Sequence, residues 1–454
     1  MIDFASASLD TLLSGAGHMC ACGRVHQTGV RILKIGAGII HSLPEVLAQM
    51  GKTMPFLVCD ANTYQAAGQT AVDILKAHHM MYRLFVFPKT DGKIEPDEAA
   101  VGAITMALPS ACDVIIAVGS GVINDCCKVV ALAARLPGIV IATAPSMDGY
   151  ASNSSSMIQN KIKVSLYNAC PVAILCDTEI LCKAPMEMLL AGLGDMLAKY
   201  ISICEWRISH LITGEYYCEN VASLVRSSVQ KCIGSARGVI DHEAGAVAAI
   251  AEGLVLSGIA MSYAEISRPA SGLEHYFSHI WEMLALQRGE ASALHGTQVG
   301  VGTALTLMLY DHIRTLRPDM EKAQRQMAAW DALAWEAEMK EIFGAAAAPL
   351  IEAEHNIYHK NDSQGQLERI QKIIAHWEEI LSIIEAELPQ TQQLLSLMEE
   401  LGMAIEPEDL SISAEDTRKA FIGSREIRDK YLTSSMLWDM GVLHAFADYL
   451  SAGS

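Results

Sequence analysis

The stretch 113-DVIIAVGSGVIND-125 decides how the first part of this chain folds. Asp113 to Val118 is an apolar, β-branched run without polar alternation, the pattern of a strand buried on both faces. Gly119-Ser120-Gly121 follow at once, and residues 122–136 carry helical spacing. A glycine turn between a parallel strand and a helix lets backbone approach a pyrophosphate, and the helix N-terminus favours negative charge. GSGVIND is not a full GxGxxG, so alone it equally describes a tight turn without a ligand.

The same alternation extends outward from this stretch. Upstream, RILKIGAGII reads as a strand and glycine turn, and LPEVLAQM as a helix. PFLVC (55–59) reads as a strand ending at Asp60, RLFVF (83–87) as another strand, and 97–108 as a helix. Downstream, GIVIA (138–142) and PVAILC (171–176) are strands, and the Ser- and Asn-rich residues 146–168 form a long loop or a polar hairpin. Near-continuous apolar strands alternating with helices predict a parallel sheet covered on both faces. After Pro185 almost only helical periodicity remains. The expected organisation is an α/β domain over residues 1–183 and an all-α domain over 184–454. Charged amphipathic helices at 365–402 lie within a helical extension at about 340–405, and their role is packing.

A length of 454 residues suits two domains. Hydrophobic residues at 51% and charged residues at 19% describe a well-buried globular chain. The net charge of −19, from 33 basic and 52 acidic residues, argues against nucleic-acid or anionic-membrane binding. Twelve scattered cysteines and the lack of a basic, apolar leader at the start suit a reducing cytoplasm. No apolar run reads as long and clean enough to span a bilayer, and a homodimer is the default assembly. Cys20, Cys22 and His26 in CACGRVH offer half of a zinc site. No second CxxC-type pair lies nearby, so the segment is taken as a plain loop.

Four further places hold candidate chemistry. Asp60 suits either a ribose hydroxyl or a helix N-cap. In TAPSMDGYAS (143–152), Thr143, Ser146 and Ser152 suit the lining of a cofactor cleft and Asp148 a substrate hydroxyl; an ordinary turn cluster fits as well. In AGLGDMLAKY (191–200), Asp195 is expected at the start of a helix after a glycine turn, either as a metal-binding carboxylate or as a first-turn acid. SRPASGLEHYFSHIWEMLALQRGEASALHG (267–296) holds His275, His279 and His295. The first two share a helix face at i, i+4, and Gly296 is expected to end or turn the segment presenting His295. Two such imidazoles and one carboxylate would make an open catalytic metal site; surface or core histidines are the alternative.

GSG after a strand, TAPSMDGYAS, GLGD, SRPASGLEHYFSH and LHGTQVGVGT together resemble the sn-glycerol-1-phosphate dehydrogenases, with the bacterial AraM-like branch nearest. These belong with iron-type alcohol dehydrogenases, glycerol dehydrogenase and dehydroquinate synthase. The resemblance implies an N-terminal NAD(P)-binding domain and a helical metal- and substrate-binding domain, a dehydroquinate synthase-like fold. It implies a divalent metal (zinc, nickel or iron) on Asp195, His275 and His295, with His279 and Asp148 contacting substrate. It assigns NAD or NADP to Asp60, Gly119, Ser120, Gly121, Asn124, Asp125, Thr143, Ser146 and Ser152. Lys199 stands where iron-type alcohol dehydrogenases carry another histidine, so three protein ligands are expected. The implied reaction is reversible reduction of dihydroxyacetone phosphate to sn-glycerol 1-phosphate. Glycerol dehydrogenase and a dehydroquinate synthase-like cyclase are the alternatives on this fold. Arg268 and the backbone at Ser271 and Gly272 are candidate phosphate donors, Arg268 equally a cap or ion-pair partner.

Overall fold

The computed structural model describes residues 2–88, 94–159 and 162–452. Its strands are β1 (His18–Met19), β2 (Val25–His26), β3 (Ile32–Gly36), β4 (Pro55–Cys59), β5 (Arg83–Val86), β6 (Val114–Gly119), β7 (Gly138–Ala142), β8 (Ser154–Gln159), β9 (Ile162–Tyr167) and β10 (Ala173–Asp177). Six of them form a parallel sheet in the order β3-β10-β7-β6-β4-β5. Its strands are the apolar runs expected from the sequence. Alternate residues of them, such as Leu57, Ile116, Val118, Ile139, Ile141 and Leu175, pack into one core with the helices Leu43–Gln49 and Gln69–Ala77. β4 leads to β5 on one side, whereas β6 leads to β7 on the other. The gap between β4 and β6 is therefore the topological switch point, where open parallel sheets bind ligands beyond their carboxyl ends. Of the two readings of residues 146–168, the polar hairpin is the one found: β8 and β9 pair antiparallel.

The chain forms two compact units, and they do not divide at residue 183. One comprises residues 1–196 and 218–269, the other 197–217 and 270–454. The helix Met186–Leu197 lies almost wholly in the first unit, together with Glu219–Ser235 and Ala244–Ala264. The last of these contacts β2 and β3, which is why the early part of the helical region joins the sheet. Ala244–Ala264 also corrects the membrane expectation. Its mean hydropathy of 1.8 and its 21 residues are enough to cross a bilayer, but 78% of that window is buried in this unit, as in a core helix.

The second unit is helical, and its centre is the antiparallel pair Leu273–Arg288 and His295–Ile313. A Cβ on Gly302 would lie 2.5 Å from the Glu274 carbonyl oxygen, so glycine permits the close approach of these two helices. The amphipathic helices expected at 365–402 are present; Ser363–Ala375 and Trp377–Glu387 bury Ile370, Ile373, Ile380 and Ile384.

All twelve cysteines are unbridged. Burial pushes the thiols of Cys59, Cys126, Cys176 and Cys232 up to about 12, so at neutral pH they are apolar packing groups.

Candidate active site

In the first unit the candidate cofactor residues gather at the carboxyl edge of the sheet. Asp60 follows β4, Gly119-Ser120-Gly121 end β6, and Thr143 follows β7. Asp60 forms a capping box: Thr63 N donates to its Oδ1 at 2.7 Å, and Asp60 N donates to Thr63 Oγ1 at 2.9 Å. The helix Gly121–Ala134 starts inside the glycine turn, and no side chain caps its first turn. Ser120 instead turns to the next loop, where its hydroxyl lies 2.6 Å from Ser146 Oγ. Tyr150 donates to the Ala144 carbonyl at 2.5 Å, and its hydroxyl oxygen lies 3.2 Å from Ser120 Oγ. Burial pushes the Tyr150 phenol above its ordinary value, so it stays a neutral donor.

TAPSMDGYAS is held from beneath by residues that the sequence put at the cofactor. Asn124 Nδ2 and Lys128 Nζ both donate to the Gly149 carbonyl, at 3.2 and 3.0 Å. Lys128 also donates to Ser152 Oγ at 3.2 Å and pairs with Asp125 at 3.0 Å. Asn124, Asp125, Lys128 and Ser152 are all buried. Their visible work is to fix the loop, and Lys128 was not anticipated.

Asp195 is not at the start of a helix after a turn. It lies in the last turn of Met186–Leu197, and both glycines of AGLGD are helical. The reason is contact: a Cβ on Gly192 would sit 1.8 Å from the Pro145 carbonyl oxygen, inside the 143–152 loop. That approach lets Asp148 N donate to Asp195 Oδ2 at 2.9 Å, with Asp195 fully buried. Ser257, from the core helix, donates to Asp148 Oδ2 at 2.8 Å. The first unit thus presents two anchored carboxylates, Asp148 and Asp195.

In the second unit the three histidines do converge. Ring centroids are 5.4 Å apart for His275 and His295, 5.7 Å for His279 and His295, and 6.3 Å for His275 and His279. His275 is buried, with Nδ1 2.8 Å from Glu274 Oε1. A carboxylate only accepts, so Nδ1 carries the proton and Nε2 the lone pair. Glu274 is itself fixed by the Gly272 amide at 2.7 Å. His295 Nδ1 lies 3.1 Å from Ser278 Oγ. Contrary to expectation, Gly296 does not end the segment: His295 is the first residue of the helix His295–Ile313.

The sequence reading missed Glu282. Its carboxylate lies 3.8 Å from His279 Nδ1 and 3.6 Å from His295 Nδ1. The donor atoms of His279, Glu282 and His295 lie within 4.8 Å of one another. The signal was available, because position 282 is seven residues beyond His275, two turns along the same face. Near the phosphate candidates, Lys199 Nζ donates to the Ala270 carbonyl and Lys430 Nζ to the Ser271 carbonyl, each at 3.1 Å. Arg268 is buried in the first unit.

A parallel sheet with a glycine turn at its switch point, followed by helices carrying clustered imidazoles, defines the class. Residues 34–185 match the family described as iron-containing alcohol dehydrogenase. Glycerol-1-phosphate dehydrogenase [NAD(P)+] of Halalkalibacterium halodurans is 30% identical over 90% of this chain and 93% of its own length. The Bacillus subtilis protein of that name is 32% identical over 62% of this chain and 73% of its own. The chain belongs to the glycerol-1-phosphate dehydrogenase family. Among solved structures, glycerol dehydrogenase of Schizosaccharomyces pombe shares the fold, with a TM-score of 0.63, 15% identity, and coverage of 94% of this chain and 92% of that one.

Proposed function

We propose that this chain reduces dihydroxyacetone phosphate to sn-glycerol 1-phosphate, reversibly, with NADH or NADPH and one divalent metal. Support comes from the family, whose members are named for glycerol 1-phosphate and NAD(P)+. The observation that carries the reading is the convergence of His275, His279 and His295, with a carboxylate on His275 Nδ1. In this reading the α/β region up to residue 183 carries the cofactor, and the helical region from 184 carries most metal and substrate contacts.

The donors fit a metal. His275 offers a lone pair on Nε2, and Asp195 is a buried carboxylate anchored by an amide, as ligating groups are. Asp195, His275 and His295 would hold the ion, and zinc, nickel and iron all accept such nitrogen and oxygen donors. Glu282 and His279 form the competing donor set around His295. We keep His275 because its Nδ1–carboxylate pair is the usual companion of a ligating imidazole. Bound there, the metal supplies a Lewis acid for the substrate carbonyl, and the nicotinamide supplies the hydride.

The chain's own groups do the rest. His279, beside Glu282, delivers the proton to the substrate oxygen. Asp148, braced by Ser257, orients a substrate hydroxyl. The first-turn amides of Gly121–Ala134 take the pyrophosphate, Asp60 a ribose hydroxyl, and Thr143 and Ser146 line the nicotinamide side, with Ser152 bracing the loop that carries them. We place the protein in the cytoplasm because its twelve cysteines are dispersed along the chain and most of their thiols are buried as packing groups.

The test is NADH oxidation with dihydroxyacetone phosphate, using metal-stripped and metal-restored protein. Turnover that appears only with metal, and yields the sn-1 product, is expected. Inert restored protein overturns the reading. A glycerol dehydrogenase on the same fold is the alternative reading, and glycerol outperforming glycerol 1-phosphate in the oxidative direction would establish it.

A further inference from the structure

By sequence alone the CACGRVH segment offers only part of a metal site. In the fold it is the turn of a hairpin, with β1 and β2 pairing His18 with His26 and Met19 with Val25. Cys20 and Cys22 stand in the turn, and His26 ends β2. A further donor comes from far along the chain. Cys218, the N-cap of Glu219–Ser235, places its Sγ 3.7 Å from Cys20 Sγ, across 198 residues. It also lies 3.5 Å from His26 Nε2, while Cys22 Sγ lies 3.3 Å from that nitrogen. All four donor atoms fall within 4.8 Å of one another.

These separations are those of tetrahedral ligands around one ion. With zinc–sulfur bonds of about 2.3 Å and a zinc–nitrogen bond of about 2.0 Å, the edges are about 3.8 Å between sulfurs and about 3.5 Å between sulfur and nitrogen. At 3.7 Å, Cys20 and Cys218 are far outside the roughly 2.05 Å of a disulfide. The second shell fits too. His26 Nδ1 lies 2.7 Å from the Tyr263 carbonyl, which only accepts, so Nε2 turns its lone pair toward the thiols. Asn220 Nδ2 donates to Cys20 Sγ at 3.8 Å, and Asn220 Oδ1 accepts from Phe4 N at 2.8 Å. Tyr263 stacks on His26 at 5.7 Å, and Phe4 meets that imidazole edge-on at 5.5 Å. Cys20, His26 and Cys218 are buried and Cys22 is half-buried, so water has little access.

We propose that Cys20, Cys22, His26 and Cys218 form a closed, structural zinc site, distinct from the catalytic metal. Binding converts three thiols to thiolates and releases three protons, and neutral His26 is the fourth ligand. Three thiolates and an imidazole in a tetrahedral arrangement select zinc over the harder divalent ions. With four protein ligands there is no open position for substrate, so the ion's work is to fasten the N-terminal hairpin to the start of Glu219–Ser235.

The experiment is zinc analysis of the reduced full-length protein before and after EDTA dialysis, then after an organomercurial that displaces zinc from thiolates. One zinc per chain should survive EDTA and leave with the mercurial. It should be lost in Cys20→Ser and Cys218→Ser, and kept in Cys232→Ser. Cobalt-substituted wild-type protein should show thiolate-to-cobalt charge-transfer bands. In the wild type, Cys20, Cys22 and Cys218 should resist alkylation until the zinc is removed, a readout independent of how well the variants fold. Wild-type protein with no EDTA-resistant zinc, a cobalt derivative without thiolate bands, or a Cys20–Cys218 disulfide in freshly isolated protein would each overturn the proposal.

Discussion

At Cys20, Cys22, His26 and Cys218, three sulfurs and a nitrogen face one another in a nearly dry pocket. At His275, His279 and His295 the donors are imidazoles with a glutamate between two of them, and the His295 side chain keeps 29% of its exposure. The first cluster is complete within its own unit and leaves no position for anything but the ion. The second leaves a reachable imidazole and takes support from groups behind it, Glu274 and Ser278. On the two proposals, the contrast would separate an ion that holds a chain in place from one that holds a substrate. Closure comes from one donor distant in sequence, Cys218, whereas the three imidazoles are crowded onto two adjacent helices.

The sharpest way to break this contrast is His275→Ala. It should abolish turnover, by more than about a thousandfold, and lower metal content from two ions per chain to one, the survivor being EDTA-resistant. If His279→Ala loses the ion and His275→Ala keeps it, then His279, Glu282 and His295 are the true donor set. Next in size, Cys218→Ser should lower the melting temperature by roughly 5–10 °C while the EDTA-labile metal remains. Equal loss of both ions would mean that the clusters are not independent. Glu274→Gln should weaken the labile metal by roughly 10- to 100-fold, read by competition with a chelating dye, with the sulfur-bound zinc untouched. The smallest effect belongs to Ser257→Ala. Loss of its hydrogen bond to Asp148, worth about 1 kcal/mol, should reduce kcat/KM by roughly fivefold without changing metal content.

The sheet was legible because each strand is a short apolar run bounded by Gly, Pro or Asp, a pattern that depends on few distant contacts. The imidazole cluster was half legible. His275 and His279 declare themselves by helical spacing, but Glu282 belongs to the same face and was overlooked. Glycine misled in two places. In AGLGD and LHGT it was read as a breaker, whereas the structure keeps it helical. At Gly192 the reason is the Pro145 carbonyl, a tertiary contact that no local rule contains. Cys218 was illegible in principle, since nothing in YYCEN distinguishes it from the other scattered cysteines until the hairpin is folded against it. The helix Ala244–Ala264 shows the converse: its composition alone is that of a membrane span, and only its neighbours make it a core element.

By sequence the N-terminal segment is irregular, with Gly15, Gly17 and Gly23, and an experimenter seeking crystals would be tempted to trim it back to Val30, where the apolar strand pattern begins. That cut would remove Phe4, Leu12 and Leu13 from the protein interior and uncover Tyr263. It would also strand a lone sulfur at the head of a long helix, free to cross-link one molecule to the next. The tidier version would be the one that aggregates.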